Sequence, residues 1–230
     1  MKSKEQAQTD SLIGTRDKLV KLRTSLKNKI HNILNANGII TKKEMFSSDK
    51  SLDRILKMDL EQGDLFELGL IIEHIHHLNK TIEIINKDLA NRGKKMDGFD
   101  NIKSITGIGD TSATILLSVI GDINDFETSD KLAAYLGLVP RVFATGNTVH
   151  YGRITKMGNK IGRTTLVQST LIAIRYNDYL RRFYLRLKAK KGSGKAIIAT
   201  ARKYLAIIYK TLKYDLTFED FNQFQLAKVH

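Results

Sequence analysis

Apolar residues recur at helical spacing through the first ninety residues of the chain. Leu12, Leu19, Leu26 and Ile33 stand seven apart, and Leu22 and Ile30 widen the stripe. This pattern predicts a helix over 11–36. Asn35, Asn37 and Gly38, which tolerate left-handed backbone, end it. A loop over 37–50 and a second helix from about 51 to 92 follow. The second seam is clearer: Leu68, Ile75, Ile82 and Leu89 share one heptad position, with Ile71, Leu78 and Ile85 three residues on. Such a/d spacing is that of a coiled coil. Two helices joined by a short loop predict an antiparallel hairpin. Its seams can close on each other within one chain or against a second copy, and the pattern allows both.

Beyond the hairpin the periodicity changes. Residues 93–100, GKKMDGFD, read as a linker. Within 101–126 the order Ile105, Thr106, Gly107, Ile108, Gly109, then Ala113 and Leu116 or Leu117, is the pattern of a helix-hairpin-helix motif. Two glycines turn the chain there, and free amides at the next helix start can meet a phosphate. Asp110 and a local net charge of −5 over 97–140 favour the alternative, a turn used for packing. A short helix is expected over 128–136, capped by Thr128 or Ser129 and ended by Gly137. Further helices are expected over 159–176, 178–190 and 195–213. No convincing strand alternation is present; the segment between Gly137 and Asn159 holds a short hairpin at most. The fold class is therefore mainly α: a long antiparallel helical hairpin over 1–96, a compact helical domain over 97–213 and a tail over 214–230.

Composition narrows the partners. A hydrophobic content of 42% suffices for real cores. Without cysteine there are no disulfides, thiolate metal sites or cysteine nucleophiles. The N-terminal MKSKEQAQTD lacks an apolar signal core, and no apolar run approaches the ~18 residues of a membrane span. A soluble intracellular protein of the reducing cytoplasm is expected. The net charge of +14 is uneven: residues 141–213 alone carry +16, with Asp178 the lone acid. A block like this is an electrostatic footprint for nucleic acid. An acidic membrane is the competing partner, and the absence of Trp argues against it.

The basic block opens with GLVPRVFATGNTVHYGRITKMGNKIGRTT, residues 137–165. It holds the only proline, Pro140, and five of the sixteen glycines, and no Asp or Glu. Arginine and lysine supply donors for phosphate, and glycine lets the backbone come close to a ligand. Thr145, Asn147, Thr148, Thr155 and Asn159 add shorter polar contacts. A helix opening near Asn159 completes a loop suited to a phosphate backbone; a solvated basic surface loop is the plainer reading.

The ordered string GLVPR, a hydroxyl residue before Gly146, then YGRITK-x-GN with Arg163 following, resembles the C-terminal domain of the IS-one-ten type of insertion-sequence transposases. The pilin-gene-inverting recombinases belong to that group. QTDSLIGTRDKLVKLRTSLKNKIHNILNANGI, residues 8–39, is similar to the segment before the coiled coil of the same proteins. The resemblance covers most of 8–165 and, more loosely, the helices to about 213. It implies DNA as partner, a homodimer or tetramer through the coiled coil and, as in some members, a structured bridging RNA. It implies strand cleavage and rejoining through a hydroxyl nucleophile. The family serine position is Thr145 here, a departure whose extra methyl crowds an in-line approach. Arg141, Arg153, Lys156 and Arg163 are the implied phosphate clamps, with Gly107, Gly109, Gly146 and Asn159 as further nucleic-acid contacts. Family members begin with a RuvC-like domain whose acidic ligands bind Mg²⁺. Nothing before Gln8 corresponds to it, so the chain is expected to match the C-terminal two-thirds of a transposase and to bind no cofactor itself.

Other signals are weaker. His74, His76 and His77 lack the i, i+4 spacing of helical metal ligands and read as polar helix positions. GSGK at 192–195 lacks the spacing of a phosphate-binding loop. Tyr176, Tyr179, Phe183 and Tyr184 alternate with Arg181, Arg182, Arg186, Lys188, Lys190 and Lys191. This suits either single-stranded nucleic acid or half-buried helix positions. The alternative functions are a non-catalytic nucleic-acid-binding module or decayed transposase remnant and, on charge alone, a chromosomal architectural protein.

Overall fold

A computed structural model describes residues 3–145 and 148–219. The fold is mainly helical. Its elements run α1 (Lys4–Ala36), α2 (Asp49–Asp53), α3 (Gln62–Gly93), α4 (Phe99–Lys103), α5 (Asp110–Ile120), α6 (Ser129–Tyr135), β1 (Pro140–Thr145), β2 (Thr148–Ile154), α7 (Lys160–Tyr176) and α8 (Asp178–Lys213). Single 3-10 turns lie at Lys43–Phe46, Ile55–Lys57 and Ile123–Asp125. Two compact units result, one of residues 10–88, the other of the described residues before 10 and after 88.

The first unit is an antiparallel hairpin of α1 and α3. Polar pairs give its direction: Arg16 donates to Asn86 at 2.6 Å, Arg23 to Asn79 at 2.8 Å, and Lys29 meets Glu67 at 2.9 Å. The heptad seam closes within the chain, for Leu68, Ile75, Leu78, Ile82 and Ile85 are all buried. One position of the seam is corrected: Ile72 is buried where the spacing points to Ile71, which is only half-buried. Two expectations about helix ends are corrected. The first helix begins at Lys4 because Lys4–Asp10 are mostly adequate helix formers without apolar rhythm, invisible to a periodicity search. The second begins at Gln62. Residues 51–61 fold separately: the Ser48 hydroxyl caps α2 by accepting from the Ser51 amide, and Met58 is extended. Nor is 37–50 all loop, since the first 3-10 turn and the start of α2 lie there. Leu52 and Ile55, three apart as on a helix, both insert into the cluster of Ile30, Leu34, Leu68 and Ile75.

In the second unit α5 is buried from Ala113 to Ile120, which is why its sequence is apolar all round. The helices α4 and α7 pack on it, and α8 packs on α4, α6 and α7. Side-chain oxygens set the helix starts: Thr128 accepts from the Lys131 amide, Asn159 from Gly162 and Asn177 from Leu180. A non-helical Gly192, φ 76 and ψ 166, breaks α8 into the two helices expected. Past α8, the Phe218 amide donates to Ser104 and Asn101 donates to Asp215 and the Leu216 carbonyl, strapping 214–219 to α4.

The segment between α6 and α7 does form a hairpin. β1 and β2 pair antiparallel, with Phe143 opposite His150 and Thr145 opposite Thr148, and the register shifts between Pro140 and Val142.

Candidate nucleic-acid interface

The hairpin is clamped at its base by backbone. The Thr155 amide donates to the Val139 carbonyl at 2.9 Å and the Lys156 amide to Gly137 at 3.1 Å. Gly137 and Gly158 both have positive φ. A Cβ on Gly137 would stand 2.1 Å from the Met157 carbonyl oxygen, and one on Gly158 2.0 Å from that of Tyr135. Two glycines of the GLVPR and YGRITK-x-GN strings thus allow the two ends of the hairpin to pass backbone against backbone.

The clamped hairpin projects cations. Arg141, Arg153 and Lys156 are exposed, and among the described residues no carboxylate pairs with them. Thr145 ends β1; its side chain lies outside the described residues, as does the whole of Gly146. Arg163 and Asn159 have structural duties: Arg163 donates to the Leu136 carbonyl at 2.9 Å, and Asn159 caps α7. Ser169, a further hydroxyl in α7, is buried at 1% exposure with its oxygen unpaired among the described residues.

The Gly107–Gly109 turn is placed elsewhere. Gly107, at φ 99, packs on α7, where a Cβ would come 2.6 Å from the Ser169 carbonyl oxygen and 2.9 Å from the Ala173 nitrogen. These contacts lie roughly 14–20 Å along α7 from its start, at 1.5 Å rise per residue, so the turn and the basic hairpin are not brought together. Tyr204, fully buried, donates to the Thr106 carbonyl at 2.7 Å, and burial pushes its phenol well above the usual tyrosine range. Asp110 at the start of α5 pairs with Lys103 at 2.6 Å, while Gly109 faces open space.

The aromatic residues of α8 are largely engaged within the fold. The Lys203 ammonium lies 4.2 Å from the Tyr179 ring centroid and 4.3 Å from that of Phe183. The aromatic that periodicity did not single out is Phe143. It is 57% exposed on β1, beside Arg141. In the first unit, a cleft of about 510 Å³ holds Arg23 and Lys27 beside Asp49 and Glu83. Burial and then the neighbouring Arg23 charge hold Lys27 below the usual lysine range, and its ammonium is bonded to the Phe46 carbonyl. His74 bonds the Leu70 carbonyl and His76 lies by Asp53, as polar helix positions do.

The fold is a helical one that presents a basic hairpin, and comparison with known proteins makes its class specific. Residues 100–185 match the model described as Transposase IS116/IS110/IS902 family. The chain is 29% identical over 94% of its length to the transposase for insertion sequence element IS1111A of Coxiella burnetii, covering 62% of that protein. It is 26% identical over 92% of its length to a probable family 20 transposase of Pseudomonas aeruginosa, covering 65% of it. A pilin gene-inverting protein of Moraxella lacunata is 33% identical over 51% of the chain, which covers 38% of that protein. The chain is therefore related to the C-terminal part of IS110-type transposases, the group that includes the pilin gene-inverting proteins. It spans less than two-thirds of the length of the first two relatives.

Proposed function

We propose that this chain is the DNA-binding part of an insertion-sequence transposase or site-specific recombinase, acting in DNA recombination in the cytoplasm. One observation carries the reading. An exposed hairpin with Arg141, Arg153 and Lys156 is fixed by backbone contacts to the helical core, inside the stretch that matches the family. The cations bind strand phosphates, and Thr145 stands at the position of the family nucleophile. Its hydroxyl oxygen would attack a phosphorus. A threonyl phosphodiester forms, the bond to the 3′ oxygen breaks, and the proton from threonine ends on the departing 3′-OH. Rejoining reverses the step. The hairpin cations lower the cost of gathering negative charge at that phosphorus.

The resemblance implies Mg²⁺ in a RuvC-like domain. Among the described residues no three His, Asp or Glu side chains gather to hold a metal, so they do not fit the ion and no step is routed through it. DNA is the partner, with a structured bridging RNA in the mode some relatives use. A homodimer or tetramer forms through the helical hairpin.

The test supplies a relative's RuvC-like domain in trans with Mg²⁺ and a recombination substrate, and measures covalent protein–DNA adducts. Thr145→Ser should raise the yield and Thr145→Ala abolish it, with binding unchanged in both. Adducts persisting in the alanine variant would move the nucleophile, with Thr155 next; Ser169 is too buried to serve. A second reading, a binding module without catalysis, is favoured by the threonine itself, whose β-branch restricts approach. Binding without adducts in every variant would select it.

A further inference from the structure

We infer that the exposed ring of Phe143 is a stacking platform for an unpaired nucleobase, resting on the nucleic-acid-binding reading above. The ring has one covered side and one open side. A Cβ added at Gly152, diagonally across the strand pair, would lie 3.1 Å from Phe143 Cε2 and 3.6 Å from Arg141 Cβ. The ring is therefore drawn over the Gly152 backbone, where only the absence of a side chain leaves room. With 57% of the residue exposed, its outer face is bare. A large apolar surface held open costs free energy unless something covers it.

The surroundings select the occupant. Arg141, which shares the Gly152 site with the ring, and His150, opposite Phe143 in the strand pair, are exposed, as is Arg153 next to Gly152. Lys156 follows β2, and the sequence holds no acid from Arg141 to Asn177. A hydrophobic protein partner would leave these cations unmatched at the interface. A nucleotide matches both features, with its base on the ring and its phosphate among the cations. The base must be unpaired, because a duplex buries both faces of each internal base. Thr145 stands two residues further along β1, about 6.6 Å at 3.3 Å per residue. A base on Phe143 would thus anchor a strand within one nucleotide or so of the residue proposed to attack it. Tyr179 and Phe183 offer no such open pairing, since Lys203 covers both.

The test uses the full chain with oligonucleotides of one sequence as single-stranded DNA, single-stranded RNA and duplex DNA. Each carries 2-aminopurine, whose fluorescence falls on stacking. Phe143→Ala should weaken single-strand binding roughly five- to hundredfold and remove the quenching. Duplex affinity and its salt dependence should hold, showing an intact hairpin. Phe143→Trp should retain binding within about threefold, whereas Phe143→Leu, apolar without a π face, should behave like alanine. Quenching on either single strand supports the platform, and the DNA and RNA arms tell which strand it takes. Equal weakening of duplex and single strand, full binding by Phe143→Leu, or loss with Tyr176→Ala in place of Phe143→Ala would each overturn it. Absence of all binding by the unmodified chain would instead overturn the underlying reading, and this inference with it.

Discussion

At the scale of residues, the cations of the basic segment have different work. Arg153 and Lys156 are exposed without a carboxylate partner among the described residues, whereas Arg163 holds the Leu136 carbonyl. Arg153→Ala and Lys156→Ala should each flatten the slope of log affinity against log salt by about one. Arg163→Ala should leave that slope nearly unchanged and lower unfolding free energy by about 1 kcal/mol, the worth of a typical hydrogen bond. Fluorescence anisotropy over a salt series and urea denaturation separate the two effects. The glycines divide similarly. Gly158→Ala should cost upward of about 2 kcal/mol, because left-handed backbone disfavours a Cβ by about 1–2 kcal/mol and the Tyr135 carbonyl must also move. Loop glycines among arginines read as a phosphate cradle. Here Gly137 and Gly158 serve a backbone crossing between residues 21 apart, which no local pattern can announce. Phe143 escaped notice for a related reason: its open face depends on Gly152 across the strand pair.

At the scale of elements, α3 has two apolar faces. Ile75 and Ile82 lie on the one that closes against the rest of its own unit, at 0% and 4% exposure. Phe66, Leu70 and Ile84 lie on the opposite side, Phe66 at 71% and Ile84 at 68% exposure. Aspartate at Ile75 would therefore place a charge in the core and unfold the hairpin without reporting on association. If α3 carries the self-association proposed above, Phe66→Glu with Ile84→Glu should shift sedimentation toward monomer while helical circular dichroism stays unchanged. The heptad seam was legible because repetition outvotes single positions. The start of α3 was not, because Leu52 and Ile55 keep helical spacing while sitting on a separate folded turn. The β-hairpin was only faintly legible, as a short hairpin at most, because neighbouring Val142 and Phe143 are both exposed, so neither strand face is consistently apolar, and a register shift interrupts the alternation. A further element-scale prediction concerns Tyr204, which ties the Gly107–Gly109 turn to α8. The fold holds the neutral phenol, raising its folded pKa above the ~10 of an unfolded tyrosine. Its contribution is full below about pH 10 and is lost as pH climbs beyond that. Tyr204→Phe should cost about 1 kcal/mol at neutral pH and lessen the loss of stability above pH 10.

At the scale of the molecule, charge is segregated along the chain: −5 over residues 97–140 and +16 over 141–213. The sequence made that block legible but not its division of labour. Arg181 is paired with Asp178, Arg202 with Asp130, and Lys203 lies over two rings. Among the exposed cations two groups stand together: Arg141, Arg153 and Lys156 on and beside the hairpin, and Arg182, Arg186, Lys190 and Lys191 on the first limb of α8; Lys160, Arg175, Lys188 and Lys195 are exposed as well. Counterion release can count them. Each neutralised phosphate of duplex DNA contributes about −0.9 to the salt slope. If the hairpin group alone touches phosphate, the slope should be about −2.7, and affinity should fall roughly 40-fold between 50 and 200 mM salt. If both groups do, the slope approaches −6 and the fall is several thousandfold. Replacing the four α8 cations with alanine distinguishes the cases. An unchanged slope confines the interface to the hairpin, and a slope reduced by three or four extends it along α8. A native slope near zero would remove the basic block from nucleic-acid binding altogether, and with it the reason to place Thr145 beside a phosphate.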